Sequence, residues 1–218
     1  MTTDSKHGSG FTVVAAFSAA LVLALFLDVP LSSWAHDSGT AGWLKSHVLL
    51  THIIRFPGTF YFTLVVGAVM LAARLWSKAA IVLLAGIFSG LNAPLKLIIG
   101  RIRPYHGVPP FQLHPFKFGL VNMEASFSFP SGDASLAFAM AMSLSMTVPR
   151  LRPLWWTLAV IVAIERVAEN AHYPSDVVAG AALGVAVAVL ARSSVAFLIK
   201  NDANPHGETK LDYSAGRK

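Results

Sequence analysis

A run of roughly 20 mostly apolar residues is long enough to cross a bilayer as a helix. This chain of 218 residues has six runs near that length: Phe11–Leu27, Phe60–Trp76, Ala79–Ile99, Ala134–Val148, Leu154–Val167 and Val177–Ile199. The composition agrees. Hydrophobic residues make up 55% and charged residues only 13%, with a mean hydropathy of +0.59, whereas soluble domains are about a quarter charged. The expectation is an all-α bundle of six transmembrane helices. Residues 1–200 form one integral-membrane domain and 201–218 a polar cytoplasmic tail, with no internal repeat. The first run is closed by Asp28 and Pro30 and is read as an uncleaved first helix. No cysteine is present, so there is no disulfide framework, thiolate metal site or cysteine nucleophile. The net charge of +6 suits anionic lipid head groups and cytoplasmic loops better than nucleic acid.

Six spans place both termini on one side. With the N-terminus in the cytoplasm, ten Lys and Arg residues fall on the cytoplasmic side and seven on the other. That is a weak positive-inside bias, and it sharpens if Lys96, Arg103 and Arg166 serve another purpose. Residues 34–56, with Trp43, Leu44, Val48, Leu49 and Ile53, read as an amphipathic helix in the outer interface. The small-residue stretch from Ala179 to Gly184 suits close helix packing in lipid.

Three polar clusters then fall at the same, non-cytoplasmic face. In "KLIIGRIRP", Lys96 and Arg103 are two helical turns apart, and Pro104 is expected to end the helix. In "FPSGDAS", Ser131, Gly132 and Asp133 open the fourth span, where free amides and the helix dipole favour an anion. In "ERVAENAHYPSD", Arg166 ends the fifth span, His172 sits in the connection and Asp176 opens the sixth. A carboxylate on one ring nitrogen orients an imidazole and frees the other nitrogen to attack. Each cluster alone has an ordinary reading: snorkelling basic residues, an N-cap, a capping Asp beside an unrelated His. Three basic groups, a helix N-terminus and a His–Asp pair at one depth together point to a phosphate-handling site. Without a Walker-type loop or an evident carboxylate cage, the chemistry expected is metal-free.

The pattern Lys96, six residues, Arg103-Pro104; Pro130-Ser131-Gly132; Arg166, five residues, His172, three residues, Asp176 resembles the three-part signature of the type 2 phosphatidic acid phosphatase family. The resemblance extends over about residues 10 to 200. It implies a membrane lipid phosphate or diphosphate phosphatase that works through a phosphohistidine and needs no cofactor. His172 then matches the nucleophile and Asp176 its orienting partner. Lys96, Arg103 and Arg166 match the groups that hold the phosphoryl oxygens, and Ser131 and Gly132 the helix-end cradle. The partners implied are a lipid phosphate or diphosphate and membrane lipids. The localisation implied is a bacterial inner membrane with the site facing the periplasm. Undecaprenyl diphosphate, phosphatidylglycerophosphate, phosphatidic acid and lipid A phosphate are the candidate substrates. A phosphotransferase, or a non-catalytic binder or transporter of the same fold, is the alternative.

Two positions depart from the family pattern. Glu165 replaces the usual serine before Arg166, where it either braces a basic side chain or weakens phosphate binding. Asp133 stands where the family has the histidine that protonates the leaving oxygen. An aspartate there is a proton donor, or a sign of a substrate whose leaving group needs little protonation, or a mark of a weakened member.

Overall fold

The computed structural model describes residues 4–106, 112–116 and 126–202. Lys117 and the tail beyond Asp202 lie outside the described residues. The described chain is helical: α1 (Asp4–Asp37), α2 (Thr40–Ser46), α3 (Val48–Arg55), α4 (Phe60–Ala72), α5 (Trp76–Ser89), α6 (Asn92–Ile99), α7 (Gly132–Thr147), α8 (Arg152–Ala168) and α9 (Pro174–Asp202). The six-helix arrangement expected from the apolar runs is present as α1, α4, α5 with α6, α7, α8 and α9. Three described stretches are long and apolar enough to cross a membrane unaided: Val14–Asp37, Trp76–Ile99 and Pro174–Asp202. The stretch Val48–Gly58 forms a further candidate with α4, bent by 54°. Helices α7 and α8, at 16 and 17 residues, reach only about 24–26 Å at 1.5 Å per residue.

Several boundaries differ from expectation. Asp28 and Pro30 do not close the first span; α1 runs on to Asp37 with Pro30 inside it, and the Asp28 carboxylate is buried against an arginine. Helix α6 stops at Ile99, before Pro104. Gly100, at φ +61°, is its left-handed C-cap, and its backbone lies so close to the His114 carbonyl that a Cβ would collide. The chain beyond is extended, with isolated bridges from Arg101 to Leu113 and from Ile102 to Phe127. Lys96 and Arg103 therefore do not share a helical face. The amphipathic segment is two short helices, α2 and α3. They bury Leu44 and expose Trp43, Val48, Leu49 and Ile53.

Helix α7 forms the centre, packed against α9, α8 and α5. Most of its residues are buried, including Ala134, Ala137, Ala139, Met140, Ala141 and Leu144, as a helix apolar on all sides must be. The small residues of α9 explain the tightest crossing. Gly180 faces the Ser131 carbonyl and Gly184 the Ser135 carbonyl, both too close to admit a Cβ. That contact draws the first turn of α9 against the first turn of α7, and the Ser131 amide donates to the Asp176 carbonyl at 3.0 Å. The end of α1, the end of α6, the start of α7, the end of α8 and the start of α9 meet at one end of the bundle.

Candidate active site

His172 lies on the turn between α8 and α9, and that turn is pinned from several sides. Asn170 takes φ +59°, a left-handed conformation that Asn tolerates. The amides of Ala171 and His172 both donate to the Arg166 carbonyl at 3.2 Å, closing the end of α8. The Ser32 hydroxyl of α1 donates to Asn170 Oδ1 at 2.9 Å. Pro174 then opens α9, where its missing N–H is no loss. The imidazole is 3% exposed. Its Nε2 is 3.1 Å from Nη1 of Arg103, which also donates to the Ala171 carbonyl at 3.0 Å. A guanidinium only donates, so Nε2 carries the lone pair and Nδ1 the proton. Burial, then the charges of Arg103, Lys96 and Arg166, push the His172 pKa well below its ordinary value near 6.5, against a weaker upward pull from Asp133. The ring is neutral at pH 7, with its Nε2 lone pair facing the Arg103 guanidinium.

Asp176 stands behind this ring, but the expected hydrogen bond is absent. Its Oδ2 lies 3.7 Å from His172 Nδ1, beyond hydrogen-bond reach. The carboxylate is engaged elsewhere. Oδ2 accepts from the Tyr173 amide at 2.8 Å, the backward arm of a capping box. Oδ1 accepts from Arg101 Nη1 at 2.5 Å. The capping reading and the partnering reading of Asp176 both hold in part: it caps α9 and places negative charge beside the imidazole.

Lys96, Arg103 and Arg166 are all buried and brought to His172. Ser131 is the N-cap of α7, its hydroxyl accepting from the Ala134 amide at 3.4 Å. Gly132 follows, and a Cβ there would stand 4.0 Å from the Lys96 ammonium. The glycine thus leaves the first turn of α7 open beside a buried cation, which suits a phosphoryl group.

Arg166 is held by three carboxylates. Glu165 takes Nε and Nη2 at 2.7 and 2.9 Å, Asp133 Oδ2 takes Nη1 at 3.1 Å, and Glu169 takes Nη2. Of the two roles open to Glu165, the bracing one is seen. Arg55, at the end of α3, approaches Glu165 at 3.8 Å and Glu169 at 4.0 Å. Asp133 points into the site with its side chain one-third exposed.

Four residues of this constellation carried no signal in the motifs: Asp28, Arg101, Arg55 and Glu169. A lone carboxylate inside an apolar run marks Asp28, and spacing by three on α8 marks Glu169 beside Arg166. Arg55 and Arg101 find their partners only through the tertiary fold.

Comparison with known proteins supports one family. The PAP2 superfamily model matches residues 74–200, which carry Lys96, Arg103, Ser131, Gly132, Asp133, Arg166, His172 and Asp176. The lipid A 1-phosphatase of Rhizobium etli is 32% identical over 178 residues, covering 77% of this chain and 73% of that protein. The undecaprenyl-diphosphatase of Sulfolobus acidocaldarius is 31% identical over 134 residues, covering 58% of this chain and 60% of its own. Among solved structures, a transmembrane PAP2-type phosphatidylglycerolphosphate phosphatase from Bacillus subtilis superposes with a TM-score of 0.50 at 26% identity, over 83% of this chain and 96% of that one. The chain belongs to the PAP2 superfamily and is an integral-membrane hydrolase of lipid phosphate head groups.

Proposed function

We propose that His172 Nε2 attacks the phosphorus of a lipid phosphate at the non-cytoplasmic face of a bacterial inner membrane. The observation that carries this reading is a buried imidazole whose Nε2 faces Arg103, with Lys96 and Arg166 close enough to act on it and the first turn of α7 open at Gly132 beside the Lys96 ammonium. As the N–P bond forms, the P–O bond to the lipid breaks and its electrons leave with the lipid oxygen. The three cations hold the equatorial oxygens, where charge develops. The proton on Nδ1 stays on the ring, facing Asp176, so the phosphorylated ring is cationic and the carboxylate stabilises it. Water then attacks phosphorus, the N–P electrons return to Nε2, and inorganic phosphate is released.

Asp133 narrows the substrate class. Its Oδ2 accepts from Arg166 at 3.1 Å, so the position of the leaving-group acid is occupied by an ion-pair partner. That favours a substrate whose leaving oxygen holds negative charge easily: a lipid diphosphate, which releases a phosphate monoester, or a glycosyl 1-phosphate ahead of a simple alkyl phosphate. The relatives that act on undecaprenyl diphosphate and on the 1-phosphate of lipid A fit both types. The test is phosphate release by purified protein in detergent, with chelator present, from one lipid diphosphate, one lipid A and one phosphatidic acid. The first two are expected to turn over faster. Phosphatidic acid as the preferred substrate would contradict the assignment, and activity abolished by chelator would contradict metal-free chemistry.

A further inference from the structure

Behind Asp176 lies a second layer of buried charge that reaches across to α1. Arg101 Nη1 donates to Asp176 Oδ1 at 2.5 Å and to the Ser175 hydroxyl at 2.7 Å. Arg101 Nη2 donates to Asp28 Oδ2 at 2.7 Å. Asp28 also accepts from the Ser175 amide at 2.9 Å and from the Ser175 hydroxyl at 2.6 Å. The guanidinium stacks over the Tyr173 ring, 4.2 Å from its centre. Asp28 and Asp176 are 0% exposed and Arg101 is 3%.

The charge count of this layer matters for the reaction. Asp176 with Arg101 alone would be a neutral pair with little field to offer an imidazole. Asp28 adds a second carboxylate on the far side of the same guanidinium, so the group Asp28–Arg101–Asp176 keeps a net charge of −1 facing His172 Nδ1. Near the ring, Lys96, Arg103 and Arg166 are positive and Asp133 is negative. Forming the phosphorylated ring adds one more positive charge there.

We propose that Asp28 of α1, acting through Arg101, is a positioning residue for the hydrolase reaction: it offsets the guanidinium charge and so keeps Asp176 an effective counterion for the cationic phosphohistidine. This rests on His172 being the nucleophile. Neither residue touches substrate, so their removal acts on the rate of turnover and leaves substrate binding alone.

The experiment compares wild type, His172→Ala, Asp28→Asn and the double variant Asp28→Asn with Arg101→Gln, in detergent, on a lipid diphosphate, with thermal stability recorded for each. Asp28→Asn keeps the shape and leaves the layer neutral. Its kcat is expected to fall at least tenfold with KM within threefold of wild type. The double variant removes one buried charge of each sign and restores the net −1 at Asp176. It is expected to regain at least half of the loss on a logarithmic scale, and, should Asp28→Asn fail to fold, to stay within about tenfold of wild-type kcat. A double variant slower than these limits, or an Asp28→Asn with wild-type kcat, overturns the proposal, because a scaffold role predicts damage that adds. If wild type turns over and His172→Ala does too, the nucleophile assignment has failed; if only His172→Ala is dead, the failure belongs to the second layer alone.

Discussion

At Arg166 one guanidinium serves Asp133, Glu165 and Glu169, and the two departures from the family pattern meet on it. Glu165 fixes the arginine from the buried side; Asp133 pairs with it from the open side, its side chain one-third exposed. Removing the Asp133 charge is therefore expected to free Arg166 Nη1 for a phosphoryl oxygen. On a lipid diphosphate, Asp133→Asn is expected to leave kcat within about threefold and to lower KM, because the phosphate no longer competes for Nη1. On phosphatidic acid, whose alkoxide needs a proton that the ion-paired Asp133 does not supply, kcat is expected to stay low in both proteins. Steady-state kinetics on both lipids checks this; a loss of about 10²-fold or more confined to phosphatidic acid would show Asp133 acting as the general acid and contradict the ion-pair assignment. The imidazole makes its own prediction. Burial and three cations hold the His172 pKa well below 6.5, so His172 takes up its proton only well below that pH. Nucleophilic attack needs the neutral ring, so the acid limb of kcat/KM on the diphosphate is expected well below pH 6.5 rather than at it. An acid limb centred near 6.5 would show a solvated imidazole.

Helices α7 and α9 set the geometry through two glycines. Gly180 and Gly184 lie one turn apart and let α9 rest on the backbone of α7 at Ser131 and Ser135, which joins the Ser131 amide to the Asp176 carbonyl. Gly184→Leu forces the helices apart. Overpacking of this kind costs about 1–3 kcal/mol or more, and the displacement also separates the first turn of α7 from His172. The expected result is a lowered melting temperature in detergent together with loss of activity, whereas Ala182→Leu, further round the helix, is expected to be milder. Much of this scale was legible in the sequence. The apolar runs marked the six helices, the small residues marked the crossing, and the spacing of Lys96, Arg103, Arg166 and His172 marked the site. What was not legible depends on tertiary partners. Asp28 looked like the end of a span because its partner Arg101 is distant in sequence. Arg103 looked helical because the left-handed cap at Gly100, rather than Pro104, is what stops α6. The His172–Asp176 bond looked natural at that spacing, yet the Tyr173 amide and Arg101 compete for the same carboxylate.

For the whole molecule, the fold gathers five helix ends at one end of the bundle, and the exposed apolar residues Trp43, Val48, Leu49 and Ile53 of α2 and α3 frame that end. On the proposed orientation that end lies at the outer interface. Labelling a cysteine placed at His106 with a membrane-impermeant reagent is expected to succeed from the periplasmic side; labelling from the cytoplasmic side alone would invert the molecule. On the proposed mechanism the helix ends gathered there present His172 Nε2 to phosphorus. The measurement closest to that claim is rapid acid-free quenching of the protein during turnover of a lipid diphosphate labelled in its terminal phosphate, followed by peptide mapping. The account predicts base-stable, acid-labile phosphate on His172 in the wild type, and neither label nor turnover in His172→Ala. Full turnover by His172→Ala, or label trapped on another residue, would contradict it.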